Sequence, residues 1–213
     1  TIPTTVTNNG VTYNVTGIEE KAFNKCSNLT TIIFPESLLS IGEKAFNKCT
    51  ALQALVFPKN IAFIGKEAFK DNTGLQSVDF SVNTELEEIN VSTFYNCSSL
   101  ETLIFPISLK TIHASAFRRC RKISELNMPK FLETIGSKSF YDCNLLKNIV
   151  FSPLLKHIET YAFYNAISLE SVTFPASMEV VEAYAFSNCN QLTNVSVPSN
   201  LSTLEAYAFS NCT

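Results

Sequence analysis

A phenylalanine returns at a fixed interval along this chain, at Phe23, Phe46, Phe69, Phe94, Phe117, Phe140, Phe163, Phe186 and Phe209. Every gap is 23 residues except the 25 between Phe69 and Phe94. A period of this length marks a repeat architecture, in which each unit buries its apolar face only by stacking on a neighbour. Other columns keep the same phase. Three residues after Phe stand Cys26, Cys49, Cys97, Cys120, Cys143, Cys189 and Cys212, with Asn72 and Ala166 in the two remaining units. Leu or Ile follows at six residues and an aliphatic residue at nine. At eleven come Phe34, Phe57, Phe80, Phe105, Met128, Phe151, Phe174 and Val197, usually with a proline directly behind. Two further aliphatic columns close the unit, one through Leu38 and Ile61, the other through Ile41 and Ile64.

Spacing inside the unit sets its local structure. Leu55 and Phe57 stand two apart and share one face of a strand. Stacked in register, such strands make a parallel sheet, and Pro58 can end its strand because it has no N–H to donate. A second short extended piece is expected around Ile61 to Ile64. Gly65-Lys66-Glu67-Ala68-Phe69-Lys70 reads as one turn of helix, which makes the expected class α/β. Ala precedes Phe, with Thr93 and Ser139 as small replacements, because that position lies against the neighbouring coil. Each Phe is expected to stack on the next.

Residues 1–17 are a lead-in. Val11, Tyr13 and Val15 alternate with polar residues, and Asn8-Asn9-Gly10 is a turn signal, so a small hairpin or edge strand should cover the first coil. Ile2-Pro3 matches the Phe-Pro corner of a unit, and the chain stops in mid-unit at Asn211-Cys212-Thr213. The expectation is one solenoid over 1–213, with about eight units and a truncated last one in 18–213, cut from a longer protein. Two extra residues lie within Ser81-Val82-Asn83-Thr84-Glu85, expected to loop outward and leave the stack intact.

The phased AF-x-x-C-x-x-L columns resemble the BspA-like leucine-rich repeats, the 23-residue Treponema type, from Ile18 to Thr213. That resemblance implies a leucine-rich-repeat solenoid with its parallel sheet on the concave face. It also implies display on the surface of bacteria or of some parasitic protists, where some members act as adhesins.

Hydrophobic residues make up 46% and charged residues 16%, which suits a continuous apolar spine. A net charge of −3 gives no global electrostatic case for nucleic acid. No apolar run approaches the length of a membrane span, and Thr1-Ile2-Pro3 does not open a signal peptide. The seven cysteines share one column that also accepts Asn and Ala, the mark of a small buried site, so reduced thiols are expected. Column neighbours would have parallel Cβ vectors, a poor geometry for disulfides. No C-x-x-C or Cys/His cluster points to a metal. His113 and His157 sit in different columns beside Ile112 and Ile158, with no nucleophile motif, phosphate loop or paired carboxylates near them. Neither an enzyme nor a cofactor is expected.

Two surfaces are candidates for binding. On the outward face of the sheet, Ile33, Val56, Ile104 and Val150 share a row with Asp79, Asn127, Thr173 and Ser196. β-branched residues suit strands in any case, yet a row of exposed aliphatics is also how a protein-binding stripe looks. Arg118, Arg119, Arg121 and Lys122 surround Cys120 and form a basic island, suited to sulfated glycans or anionic headgroups or else a charge-balanced edge. Tyr161, Tyr184 and Tyr207 form a column with Tyr95, Tyr141 and Tyr164 nearby, and coil packing explains them as well as recognition does. Sequons begin at Asn14, Asn28, Asn90, Asn96, Asn194, Asn200 and Asn211. The expected function is non-enzymatic recognition of a protein, matrix or glycan ligand, by an adhesin-like module at the cell surface or secreted. An intracellular scaffold, which unpaired thiols also fit, and a passive spacer are the alternatives.

Overall fold

The computed structural model describes residues 1–212. Stacked coils build a β-solenoid of about 8 turns, and most coils contribute two short parallel strands. The first face carries three-residue strands: Ala54–Val56, Ser77–Asp79, Thr102–Ile104, Glu125–Asn127, Asn148–Val150, Ser171–Thr173 and Asn194–Ser196. The second face carries two-residue strands, from Gly17–Ile18 and Ser40–Ile41 through Phe63–Ile64 and Glu88–Ile89 to Thr203–Leu204. The sequence columns are the register: Leu55 pairs with Val78 and Val78 with Leu103, while Ile41 pairs with Ile64. In Ala54–Val56 the middle residue is buried and its neighbours exposed, as side-chain alternation requires.

The expected helical turn is absent; no helix occurs among the described residues. Around Phe46, alternate N–H groups point in two directions. Those of Lys44, Phe46 and Lys48 donate to Lys66, Ala68 and Lys70 of the next coil, at 3.0, 2.8 and 2.8 Å. Those of Ala45, Asn47 and Cys49 close tight turns onto Gly42, Lys44 and Phe46. A helix instead leaves its first four N–H groups free together and bonds the later ones four residues back, which is not this strict alternation between the coil's own turns and the next coil. The alternation needs left-handed backbone two residues before and after each Phe, as at Lys44 (φ 56°) and Lys48 (φ 61°). The class is therefore a β-solenoid with turns, not α/β.

Nine phenylalanines stack coil on coil along the axis, from Phe23 to Phe209, with centroids 4.9–5.5 Å apart and planes within 11°. A second column, Phe34–Phe57–Phe80, stacks beside it and meets it edge to face. Ala45, Ala68 and Ala116, with Thr93 and Ser139 in the same column, have no exposed surface. All described cysteines are free. Five are buried, but Cys26 is exposed and Cys212 half-buried, so the column is not sealed along its whole length.

The lead-in is an antiparallel hairpin, Thr5–Asn8 with Val11–Asn14, turned at Asn9 and Gly10. Both turn residues have positive φ (50° and 77°), the type I′ geometry that matches strand twist. All eight strand residues are exposed, so the hairpin buries none of its side chains on the first coil.

The insertion departs from expectation in one respect. The phenylalanine stack passes it intact, Phe69 to Phe94 at 5.5 Å, and the first face pairs across it from Ser77 to Thr102. The second face does not, and its ladder breaks between Phe63–Ile64 and Glu88–Ile89. Ser81, Val82, Thr84 and Glu85 are exposed, but Asn83 turns inward and is fully buried.

Candidate binding surface

The first face presents the aliphatic row outward. Ile33, Val56, Ile104 and Val150 are 62%, 63%, 43% and 61% exposed. In the strands each side chain is forced out because its neighbour packs on the core, Leu55 beside Val56 and Ile149 beside Val150, and Ile33 stands outside any strand, beside half-buried Ile32. The row is not one continuous stripe. Register places Asp79 beside Val56 and beside Ile104, and Val150 beside Asn127.

Each aliphatic borders a shallow groove between its strand and a Phe-Pro corner. Ile33 and Val56 share one of about 510 Å³, with Phe34, Phe57, Pro58, Glu36 and Val82. Ile104 lines a second of about 340 Å³ with Phe105, Ile107 and Pro129. Val150 lines a third of about 460 Å³ with Phe151, Thr173, Phe174 and Pro175. Val82 and Ile107 join this row without any mark in the repeat pattern. Both follow the eleventh position after Phe by two residues, where other units carry Glu36 and Lys59, so no column flags them.

The basic island divides. Arg118 lies over the Tyr141 ring at 4.5 Å and 5.8 Å from that of Tyr95. Lys70 lies 5.2 Å from Tyr95 on its other side in sequence, and Tyr141 stacks on Tyr164 at 4.8 Å. The result is a cation–aromatic ladder, Lys70–Tyr95–Arg118–Tyr141–Tyr164, on one edge of the solenoid. A second ladder runs Lys138–Tyr161–Tyr184–Tyr207, joined to the first where Tyr161 meets Tyr164 edge to face. Arg119 Nε stands 3.7 Å from Asp142, and Lys122 Nζ bonds Glu101 at 2.8 Å. Arg121 is exposed, and among the described residues it has no ion-pair partner. Stacking between coils thus accounts for most of the tyrosines, and ion pairing for two of the four cations.

The remaining polar features are dispersed. His113 contacts Glu88 at 3.0 Å and His157 lies 3.9 Å from Glu179, on the second face. Of the sequon asparagines, Asn90 and Asn96 spend their amides on Ile64 O and Asp71, whereas Asn14 is exposed on the hairpin. No helix among the described residues is long and apolar enough to cross a membrane.

Comparison with known proteins agrees with this geometry. The family model described as "BspA type Leucine rich repeat region" matches in six copies, over residues 4–124 and 110–213. Among solved structures, the pneumococcal vaccine antigen PcpA is similar at 23% identity and TM-score 0.56, over 99% of this chain and 68% of that one. A leucine-rich cell surface protein from Faecalibacterium prausnitzii aligns at 17% identity and TM-score 0.51, over 99% and 72%. The T. pallidum leucine-rich repeat protein aligns at 23% identity and TM-score 0.50, over 99% and 74%. No curated protein matches the chain. Its repeats, their register and the family match place the chain in the BspA-type leucine-rich repeat family.

Proposed function

We propose that this chain is a non-enzymatic recognition module that binds a protein ligand through the first face, in an adhesin-like role at the cell surface or secreted. The observation that carries the proposal is the exposure of Ile33, Val56, Ile104 and Val150 beside apolar grooves on a stiff frame. Exposed aliphatics next to concave apolar surface lose water on docking, and this supplies the driving force for association. A rigid stack adds little ordering cost when it binds. The surface location is supported by the names of its structural relatives, a cell surface protein and a vaccine antigen.

The test is binding of the chain to a panel of immobilised extracellular-matrix proteins and to sulfated glycans, across a salt series. Saturable binding to a matrix protein that is weakened but not abolished at high salt is the expected result, because apolar contact is not screened while flanking charges are. Binding confined to sulfated glycans and abolished by salt would shift the function to Arg118, Arg119, Arg121 and Lys122. The ion pairs of Arg119 and Lys122 weigh against that outcome. No binding to anything would favour the scaffold or spacer.

A further inference from the structure

We infer that the groove bounded by Ile33, Val56 and Val82 receives an extended segment of a partner protein, with an aliphatic side chain seated between them and Lys or Arg beside it. This rests on the recognition reading above and gives it a partner chemistry.

The insertion is built, not slack. Asn83 has no exposed surface. Its Nδ2 donates to Pro58 O, Lys59 O and Ile61 O of the preceding coil at 3.1, 3.1 and 2.8 Å, and its Oδ1 accepts Leu86 N–H at 3.0 Å. Every polar group of a buried amide is thereby satisfied. The second-face ladder is interrupted at this coil. What the anchored loop presents is Val82, an exposed valine lining the same groove as Ile33 and Val56. Ser37, Ser108 and Ser177 tie their corners to the preceding coil with one bond each, whereas Asn83 does so with three and thereby fixes the loop that carries Val82.

Chemistry of the lining selects the occupant. Apart from Thr31 and Glu36, the lining is apolar: Ile32, Ile33, Phe34, Ala54, Val56, Phe57, Pro58 and Val82. Its volume of about 510 Å³ suits a few side chains and not a folded surface. Glu36 is its one charged residue, and Asp79 stands beside Val56 in register. One Asp79 oxygen takes Ser81 N–H at 2.7 Å. Lys59, behind Pro58, is the one cation in these corners, and Glu85 of the insertion lines a separate groove beside Phe63. Net negative charge around an apolar floor disfavours a sulfated glycan and favours a segment with cations flanking its aliphatic anchor.

The experiment is a titration followed by the methyl NMR signals of Ile33, Val56 and Val82. The probes are the peptide acetyl-Lys-Val-Ile-Val-Lys-amide and its Glu-flanked counterpart. The Lys-flanked peptide should shift those three methyl signals, with a Kd at least tenfold below that of the Glu-flanked one. Val82→Ser should weaken binding several-fold, and Glu36→Lys with Asp79→Lys should abolish the preference for the basic peptide. All three positions are exposed or half-exposed, and an unchanged methyl spectrum elsewhere verifies the fold. No shift, equal affinity for the two peptides, or shifts confined to Ile104 and Val150 would overturn the inference. The matrix panel is read separately. Peptide binding without matrix binding leaves the groove standing and removes the broader function, and matrix binding unaffected by Val82→Ser does the reverse.

Discussion

Cys120 donates its thiol to the backbone carbonyl of Phe94 in the preceding coil at 3.2 Å, and the same carbonyl accepts the N–H of Cys97 at 3.3 Å. One oxygen thus closes a turn in its own coil and ties down the next coil. Cys49, Cys97, Cys143, Cys189 and Cys212 repeat the contact with Phe23, Phe69, Phe117, Phe163 and Phe186. The column is therefore a hydrogen-bonded seam as well as a file of small apolar groups.

Asn72 interrupts that seam. It accepts Cys49 N–H at 2.8 Å, but its own Nδ2 is buried without an acceptor. Cys49 N–H retains a second acceptor in Phe46 O at 3.4 Å. Asn72→Cys should remove the unmet donor, restore the thiol contact and stabilise the chain by about 1 kcal/mol. The midpoint of urea unfolding, at unchanged m-value, measures it.

The thiols should divide by reactivity. Cys26 should react with a thiol reagent in the native state, as should half-buried Cys212, whose thiol the contact with Cys189 draws down to about 7, and the five buried cysteines only on unfolding. Burial pushes the Cys49 thiol up to about 11 and also raises Cys120 and Cys143. Below the unfolded pKa of about 8.5 both states hold these protons, and stability is independent of them. Above it the unfolded chain releases protons that the folded chain keeps, so stability falls as pH rises, for Cys49 until about 11. Denaturant melts between pH 8 and 11 should show this loss, and Cys120→Ala with Cys143→Ala should flatten it.

Truncating the stack should be severe. Phe117 is fully buried between Phe94 and Phe140, at 5.3 Å from each. Phe117→Ala should cost roughly 3–5 kcal/mol. Because coils contact only their neighbours, unfolding should also lose cooperativity, with the two halves melting apart in a thermal scan.

The left-handed positions offer a gain. Lys48 holds φ 61° with a side chain that disfavours it. Lys48→Gly should stabilise by up to about 1 kcal/mol, whereas glycine at Asn47, where φ is not positive, should destabilise. Paired chemical-denaturation curves distinguish the two.

Much of this was legible in the sequence because the core is periodic. The columns through Phe46, Leu52, Leu55, Phe57, Ile61 and Ile64 turn inward and are buried along the stack, opening at its last coil where Val195, Val197 and Leu204 are exposed, and the phenylalanines stack as their spacing implies. The turn after Gly65 reads as helix in the sequence because Lys, Glu and Tyr occupy left-handed positions that usually advertise themselves with glycine. A signal was present two residues after Phe. Asp71, Asn96, Asp142, Asn165, Asn188 and Asn211 recur there, and Asn and Asp are the side chains that tolerate positive φ best. The outward rows were legible as exposed, but how they group was not. Which aliphatics share a groove depends on corners and on an insertion outside the period, and Val82 enters only through the inward turn of Asn83.

The most direct test of recognition through the first face compares two exposed faces of the same coils. Phe63 is exposed on the second face and Val56 on the first. With the tightest ligand from the matrix panel, affinity is measured for Val56→Asp with Val150→Asp and, separately, for Phe63→Asp. Loss of at least tenfold in the first pair, with Phe63→Asp unchanged, is the predicted result. Full affinity in the first pair and loss in Phe63→Asp would contradict it and move recognition to the opposite face.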